Sequence, residues 1–141
     1  MQSTNQNLSG QPTPMPPGTP VVVKLPASNP TATYWLIGIT VFVYLLQYLS
    51  QTFLVGGYDW PFLLGGKINQ LILQGQVWRL ITPVFLHASI LHIAFNMYAL
   101  YSLGISIERY YGHRRFLLLY FIGGFCGNVL SFLLSPSSSL G

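Results

Sequence analysis

The chain has 141 residues, of which 51% are hydrophobic and only 6% are charged, and its mean hydropathy is +0.50. A soluble domain carries about 25% charged residues, so this composition excludes an ordinary soluble protein and indicates one that lies in a lipid bilayer. The formal net charge of +4 comes from six basic residues spread along the whole chain. They form no patch that could neutralise phosphates, so we expect no nucleic-acid partner.

Residues 1–33 differ from the rest of the chain in composition. They are rich in Gln, Ser, Thr and Asn and hold seven of the ten prolines. Such a segment buries too little apolar surface to offset the entropy of ordering. We predict a disordered tail over residues 1–33, followed by a single membrane domain over residues 34–141.

Three long runs of that domain contain no charged residue: residues 34–54, 80–107 and 116–135. Roughly 20 apolar helical residues cross a hydrocarbon core about 30 Å thick, so each run has room for one span. Pro83 disfavours helix at the residue before it, which places the second span later in its run. The sequence therefore predicts an all-α, polytopic membrane bundle with spans at about 34–54, 89–107 and 116–135.

The segment between the first two spans, about 55–88, mixes glycine pairs, aromatic residues and short apolar runs. Each apolar piece is too short to cross the membrane, but the pattern suits a loop half-sunk in the interface. Its aromatic residues would anchor it at headgroup depth: Tyr58, Trp60, Phe62 and Trp78. The alternative is a connector without structure, which is uncommon at this length between packed elements.

The basic residues predict the orientation of the spans. One side of the membrane would hold Lys24, Arg109, Arg114 and Arg115, and the other side Lys67 and Arg79. By the positive-inside rule the N-terminus is cytoplasmic and the loop over 55–88 lies outside, most simply in the plasma membrane.

The third span contains Gly123 and Gly127, four residues apart, and small residues at this spacing let another helix approach closely. The pattern is common in membrane helices, so its specificity is low. Cys126, the only cysteine, lies between them, so neither an intrachain disulfide nor a cysteine-based zinc site can form.

The second span begins with HASILHIAFN, which places polar side chains in an apolar helix. His92 and Asn96 are four residues apart and share one helical face, whereas His87 belongs to the approach or to a neighbouring face. One interpretation is structural, with these groups bonded to neighbouring backbone. A metal site is a weaker possibility, because no carboxylate or thiolate lies beside them. In a third interpretation, these side chains are neutral hydrogen-bond donors on one helical face, and they stabilise the negative charge that develops in an acyl-transfer intermediate.

Two longer stretches, WRLITPVFLHASILHIAFNMYAL and GISIERYYGHRRFLLLYFIGG, resemble the rhomboid family of intramembrane serine proteases. The elements that carry the resemblance are a Trp-Arg pair, a His-x4-His-x3-Asn pattern and a Glu-Arg-x-x-Gly pattern. They correspond to Trp78 and Arg79, to His87, His92 and Asn96, and to Glu108, Arg109 and Gly112.

The resemblance implies a six-helix bundle, with a serine nucleophile on the fourth helix and a histidine base on the sixth. It implies that His92 and Asn96 help to form the oxyanion hole and that His87 supports the loop above it. Arg79 would pin the outer loop by hydrogen bonds, and Glu108 with Arg109 would close the cytoplasmic end. The implied substrates are transmembrane proteins, and no metal or organic cofactor is implied.

The sequence also departs from the family pattern. The Gly-x-Ser-Gly motif and the later helix with the base are absent, and residues 137–139 are better interpreted as a serine-rich loop than as nucleophiles. No nucleophile or base is therefore assigned in this chain, which we expect to be the inactive N-terminal portion of a protease. The alternatives are a rhomboid-like pseudoprotease that binds membrane helices without catalysis and a metal-binding membrane subunit.

Overall fold

A computed structural model describes residues 29–54 and 56–134, and within these ranges all regular structure is helical. Most of the predicted tail, Val55 and the serine-rich residues 137–139 lie outside the described residues. Helices α1 (Thr31–Phe53), α2 (Trp60–Gly65) and α3 (Asn69–Leu73) come first, followed by 3-10 turns at Val77–Leu80 and Thr82–Phe85. Then come α4 (Ile90–Ala99), a π-helical turn (Leu100–Gly104), α5 (Ile105–Tyr111) and α6 (His113–Leu134).

Three continuous helical stretches are long and apolar enough to cross a membrane: Thr31–Phe53, Ile90–Tyr111 and His113–Leu134. The second of them comprises α4, the π turn and α5. This confirms the predicted all-helical membrane bundle with three spans in this chain, while the six-helix count stays a prediction.

The spans pack with polar groups inside and apolar groups outside. Thr33, Thr40 and Gln47 of α1 are buried, whereas large apolar side chains such as Phe95 and Leu134 point outward. This distribution suits a bilayer, because lipid solvates apolar surface while polar groups must find partners between helices. A small apolar cluster of Ala32, Leu36 and Phe116 completes the contact between α1 and α6.

The first two spans extend beyond the uncharged runs of the sequence. Helix α1 begins at Thr31 rather than near residue 34, and the second span continues to Tyr111 rather than ending near residue 107. The two extensions meet at Glu108, whose carboxylate accepts hydrogen bonds from the first turn of α1. The predicted second span ended before the charge of Glu108, but the helix continues past this residue.

The segment between α1 and α4 has its own folded structure, built from α2, α3 and the two 3-10 turns. Helix α2 begins at a cap, where Asp59 Oδ1 accepts from the backbone N–H of Phe62 at 2.9 Å, with Pro61 in the first turn. The depth of this segment in the membrane stays a prediction.

Candidate functional site

The candidate site lies where the chain enters the second span. Ser89 caps α4, since its hydroxyl oxygen accepts a hydrogen bond from the backbone N–H of His92 at 3.2 Å. The cap fixes the start of the helix, so His92 and Asn96 leave it on one face, one turn apart. His87 precedes the helix on non-helical chain.

The fold brings the three polar side chains of this stretch together. His87 Nε2 lies 3.0 Å from Asn96 Nδ2, and the rings of His87 and His92 meet edge to face with centroids 5.1 Å apart. Asn96 Nδ2 can only donate, so His87 Nε2 accepts and the imidazole is neutral with its proton on Nδ1. His87 is buried, whereas His92 and Asn96 are exposed. The residue spacing did not predict the direct contact between His87 and Asn96.

A polar chain that the sequence analysis missed holds His87 in place. The backbone N–H of His87 donates to Gln47 Oε1 at 3.1 Å, and Gln47 Nε2 donates to Asp59 Oδ2 at 2.7 Å. Gln51 Nε2 donates to the same oxygen at 3.0 Å. Gln47 is only 2% exposed, so its bond to the backbone of His87 is buried, and it joins α1 and the loop to the site. The available signal was the pair of glutamines, Gln47 and Gln51, in a mostly apolar span.

Burial lowers the pKa of His87 from its ordinary value of 6.5. An interaction with the backbone of Phe85 acts in the opposite direction, and the nearby His92 lowers the pKa further. The imidazole of His87 is therefore held neutral at neutral pH, which keeps its Nε2 available as the acceptor for Asn96.

Two cavities meet at these side chains. A polar hollow of about 400 Å³ contacts His87, His92 and polar residues of α1, the loop and α6. A second cavity, of about 440 Å³, lies between α4 and α6 and contacts His87 and Asn96. The cavity between α4 and α6 is bordered mainly by apolar residues, so the amide of Asn96 faces a surrounding of low polarity there.

Arg79 stabilises the loop between α1 and α4 through hydrogen bonds to other residues of that loop. Its guanidinium donates to the carbonyls of Gly66 and Leu63 and to Gln76 Oε1, each at 2.7 Å, and the residue is buried. The neighbouring Trp78 is half exposed, and its Nε1 donates to the carbonyl of Leu64 at 3.3 Å.

Glu108 lies at the opposite end of the second span. Its Oε1 accepts from the backbone N–H of Ala32 at 2.8 Å, and its Oε2 accepts from Thr33 N at 2.7 Å and Thr33 Oγ1 at 2.6 Å. His113 Nδ1 pairs with Oε1 as well. Arg109 is exposed, and Gly112 ends α5 with a φ of +80°, a left-handed conformation suited to glycine.

The glycines of α6 have unequal surroundings. A Cβ added at Gly123 or Gly127 would meet nothing within 4 Å in the described structure, so no described helix packs closely against either. A Cβ at Gly124 would lie 2.3 Å from Val84 Cγ1, which makes Gly124 the close-contact position that the spacing argument overlooked. Asn128 Nδ2 donates to the carbonyl of Leu80 at 3.1 Å.

The described part of the chain holds no group of three or more His, Cys, Asp or Glu side chains that could bind a metal ion. Asp59 borders the same hollow as the two histidines, but its carboxylate accepts from Gln47, Gln51 and the backbone of Phe62.

Comparison with known proteins places the chain in a family. Residues 74–141 match the model of the Rhomboid domain. The chain is 42% identical over 115 residues to the rhomboid protease GluP of Bacillus subtilis (strain 168). The aligned residues make up 80% of the chain and 22% of GluP. No solved structure gave a significant match.

Two other relatives come from eukaryotes. RHOMBOID-like protein 9, chloroplastic, of Arabidopsis thaliana is 47% identical over 81 residues, or 57% of this chain and 19% of that protein. Rhomboid-like protease 1 of Toxoplasma gondii is 49% identical over 67 residues, or 48% of this chain and 23% of that protein. The chain thus spans about a fifth of the length of these relatives. With its three spanning helices, it belongs to the rhomboid family of membrane proteins.

Proposed function

We propose that this chain is the N-terminal part of a rhomboid-type intramembrane serine endopeptidase that cleaves transmembrane protein substrates. Its own contribution is the half of the active site that stabilises the oxyanion. The observation that carries the proposal is the cluster of polar side chains in which His87 Nε2 lies 3.0 Å from Asn96 Nδ2 beside the ring of His92. Relatives named as rhomboid proteases support the same reaction class.

The proposed chemistry follows from where charge develops. When a serine attacks a peptide carbonyl, the carbonyl oxygen gains negative charge, which positioned neutral donors stabilise. His87 takes one amide hydrogen of Asn96, so the other hydrogen and a ring N–H of His92 are the donors assigned to the oxyanion. Each such donor contributes on the order of 3 kcal/mol to lowering the barrier. The serine and its histidine base come from residues outside these 141.

Localisation belongs to the same proposal. We assign residues 1–33 and the Glu108 end of the spans to the cytoplasm, because Lys24, Arg109, Arg114 and Arg115 fall on that side. The plasma membrane is the proposed location, although relatives include proteins named chloroplastic and mitochondrial.

The test uses the full-length protein that contains these residues, reconstituted in liposomes with a fluorogenic transmembrane substrate. Asn96→Ala or His92→Ala is expected to lower kcat/KM by roughly 10²- to 10³-fold, the usual cost of one oxyanion donor. Phe95→Ala is the matched control, since Phe95 lies on the same helix and is 71% exposed on its outer face. A loss of less than about tenfold for both site variants would refute the assignment.

The second candidate is a rhomboid-like pseudoprotease that binds membrane helices without cleaving them. The same assay decides between the two. If the full-length protein captures the substrate helix in a crosslinking experiment but yields no product, the binding function replaces the protease.

A further inference from the structure

A groove of about 550 Å³ runs between α1 and α6 and begins at the Glu108 end of the spans. His113, the first residue of α6, lines the groove at that end, and Phe121 lines it deeper in the span. The groove therefore follows α6 for about 12 Å, since an α-helix rises about 1.5 Å per residue. Between these two residues its lining is mainly apolar and includes Trp35, Ile39 and Leu117.

Arg114 lies on the face of α6 that borders this groove. It comes three residues before Leu117 and seven before Phe121, and residues at these spacings share one face of a helix. Each residue adds about 100° on an ideal helix, so Arg115 points away from that face. Both arginines are exposed. The two residues carry the same charge at nearly the same depth, but only Arg114 lies on the face of the groove.

The described chain supplies no carboxylate for the arginines of α6. The 141 residues contain two acidic residues, Asp59 and Glu108. Glu108 is buried and accepts from the first turn of α1, whereas Asp59 lies at the other end of the spans. Among residues 29–54 and 56–134, the one salt bridge joins Glu108 to His113. The guanidinium of Arg114 is therefore left to pair with an anion from outside this part of the chain.

Aromatic residues indicate that the Glu108 end lies among lipid headgroups. Tyr34 and Trp35 of α1 and Tyr110 and Tyr111 of α5 are each about half exposed or more. Tyr and Trp side chains that are partly exposed at the end of a span are typical of the headgroup layer. The anionic groups at that depth are the phosphates of phospholipids. The groove thus has a cation at headgroup depth and an apolar surface below it, which is the order of the groups in a phospholipid.

We propose that this groove binds one anionic phospholipid, with its phosphodiester at Arg114 and one acyl chain along the apolar lining. A phosphodiester carries one negative charge, and the planar guanidinium of arginine supplies two parallel donors that match its oxygens. The acyl chain packs against Ile39, Leu117 and Phe121. The site lies at the opposite end of the spans from His87, so it does not depend on the proposed proteolysis.

The test uses the full-length protein that contains these residues, held in a neutral detergent and titrated with phosphatidylglycerol. Native mass spectrometry separates the lipid-free protein from the protein with one lipid and gives the dissociation constant of the first lipid. We expect Arg114→Gln to weaken this binding roughly tenfold, the scale of one charge-assisted hydrogen bond. Arg115→Gln is the matched control and should bind as the wild type does, because its side chain leaves the other face of α6.

Each outcome decides the question. A loss confined to Arg114→Gln supports the site, whereas equal loss in both variants, or none in Arg114→Gln, overturns it. Phosphatidylcholine has no net charge and should bind more weakly than phosphatidylglycerol, and equal binding of the two would overturn the choice of an anionic lipid. Inorganic phosphate that binds as tightly as phosphatidylglycerol would assign the site to a free anion and overturn the lipid source.

The apolar part of the groove has a test of its own. Ile39→Trp places a larger side chain in the groove, so it should displace the acyl chain and lower the affinity for phosphatidylglycerol. Ile122→Trp is the control, because Ile122 is also exposed but does not line the groove. Unchanged binding in Ile39→Trp would show that the acyl chain does not lie there. A further helix of the full-length protein in the groove would abolish saturable binding by the wild type, which also overturns the proposal.

Discussion

The two ends of the membrane spans differ in how fully their polar side chains are hydrogen-bonded. At the Glu108 end, one carboxylate with no exposed surface accepts from Ala32, from the backbone and hydroxyl of Thr33, and from His113. At the His87 end, the histidines and Asn96 border cavities, and Asn96 keeps a hydrogen that His87 does not use.

The difference distinguishes a structural contact from the surface that we propose to be catalytic. A carboxylate with all its acceptor positions used can offer nothing to a ligand, but it holds α1 to the second span and caps the first turn of α1. Donors that are only partly satisfied cost stability in the resting protein and gain value when a charged or polar group enters. We therefore expect substitutions at the Glu108 end to act on folding and those at the His87 end to act on chemistry.

The largest expected effect on stability comes from Glu108→Ala. It leaves three donors of α1 without their acceptor, so we expect the free energy of unfolding to fall by roughly 3–5 kcal/mol. Unfolding in mixed detergent micelles at rising dodecyl sulfate measures the change. Ser106→Ala, an exposed position in the same helix, is the control and should stay within about 0.5 kcal/mol of the wild type. A loss below about 1 kcal/mol for Glu108→Ala would show that the carboxylate does not fasten the two helices.

A smaller and more local effect is expected for Arg79→Met. The substitution keeps the apolar stem but removes three hydrogen bonds of 2.7 Å that join the loop to itself. We expect a loss of roughly 2–4 kcal/mol, confined to the loop because no bond of Arg79 reaches a span. Backbone amide exchange over residues 60–76 should accelerate, while exchange in α1 and α6 should not.

Arg79→Lys sharpens the same experiment. An ammonium is a point charge and cannot supply the forked donors of a guanidinium, so we expect it to restore only part of the protection. Full protection in the lysine variant, or uniform acceleration throughout the chain, would contradict a role restricted to the loop.

The sequence predicted the class of fold and the number of spans because both depend on the length of uncharged apolar runs. It placed the ends of the first two spans less well, because the hydrogen bonds from Ala32 and Thr33 to Glu108 join residues 75 or 76 positions apart. No local pattern contains that contact. His92 and Asn96 were grouped by helical periodicity alone, whereas His87 meets them from the non-helical chain before α4.

The residues that support the site were the least predictable. Gln47 is noticeable in the sequence as a polar residue in an apolar helix, but its partners, the backbone of His87 and Asp59, follow from tertiary packing. Gly124 was one of several glycines in α6, and only the position of Val84 singles it out. Periodicity identifies which residues share a face, but not which neighbour that face meets.

The smallest effect, and the most direct probe of the difference between the ends, is the pH dependence that His87 confers. Because burial lowers the pKa of His87 in the folded state, the unfolded chain binds more protons between that lowered pKa and 6.5. Stability therefore falls as the pH falls through this window, and it is fully present above 6.5. One group changes the free energy of unfolding by at most about 1.4 kcal/mol per pH unit.

His87→Gln removes this proton site and should flatten the stability profile between pH 7.5 and 5.5 relative to the wild type, as measured by unfolding in the same micelles. Asp59, Lys67 and His92 contact the same hollow and are unchanged in the variant, so subtracting the two profiles isolates His87. Acidification also protonates Nε2, which then can no longer accept from Asn96. If the two profiles run parallel, burial does not hold the imidazole of His87 neutral. The electrostatic argument for a difference between the Glu108 end and the His87 end would then fail.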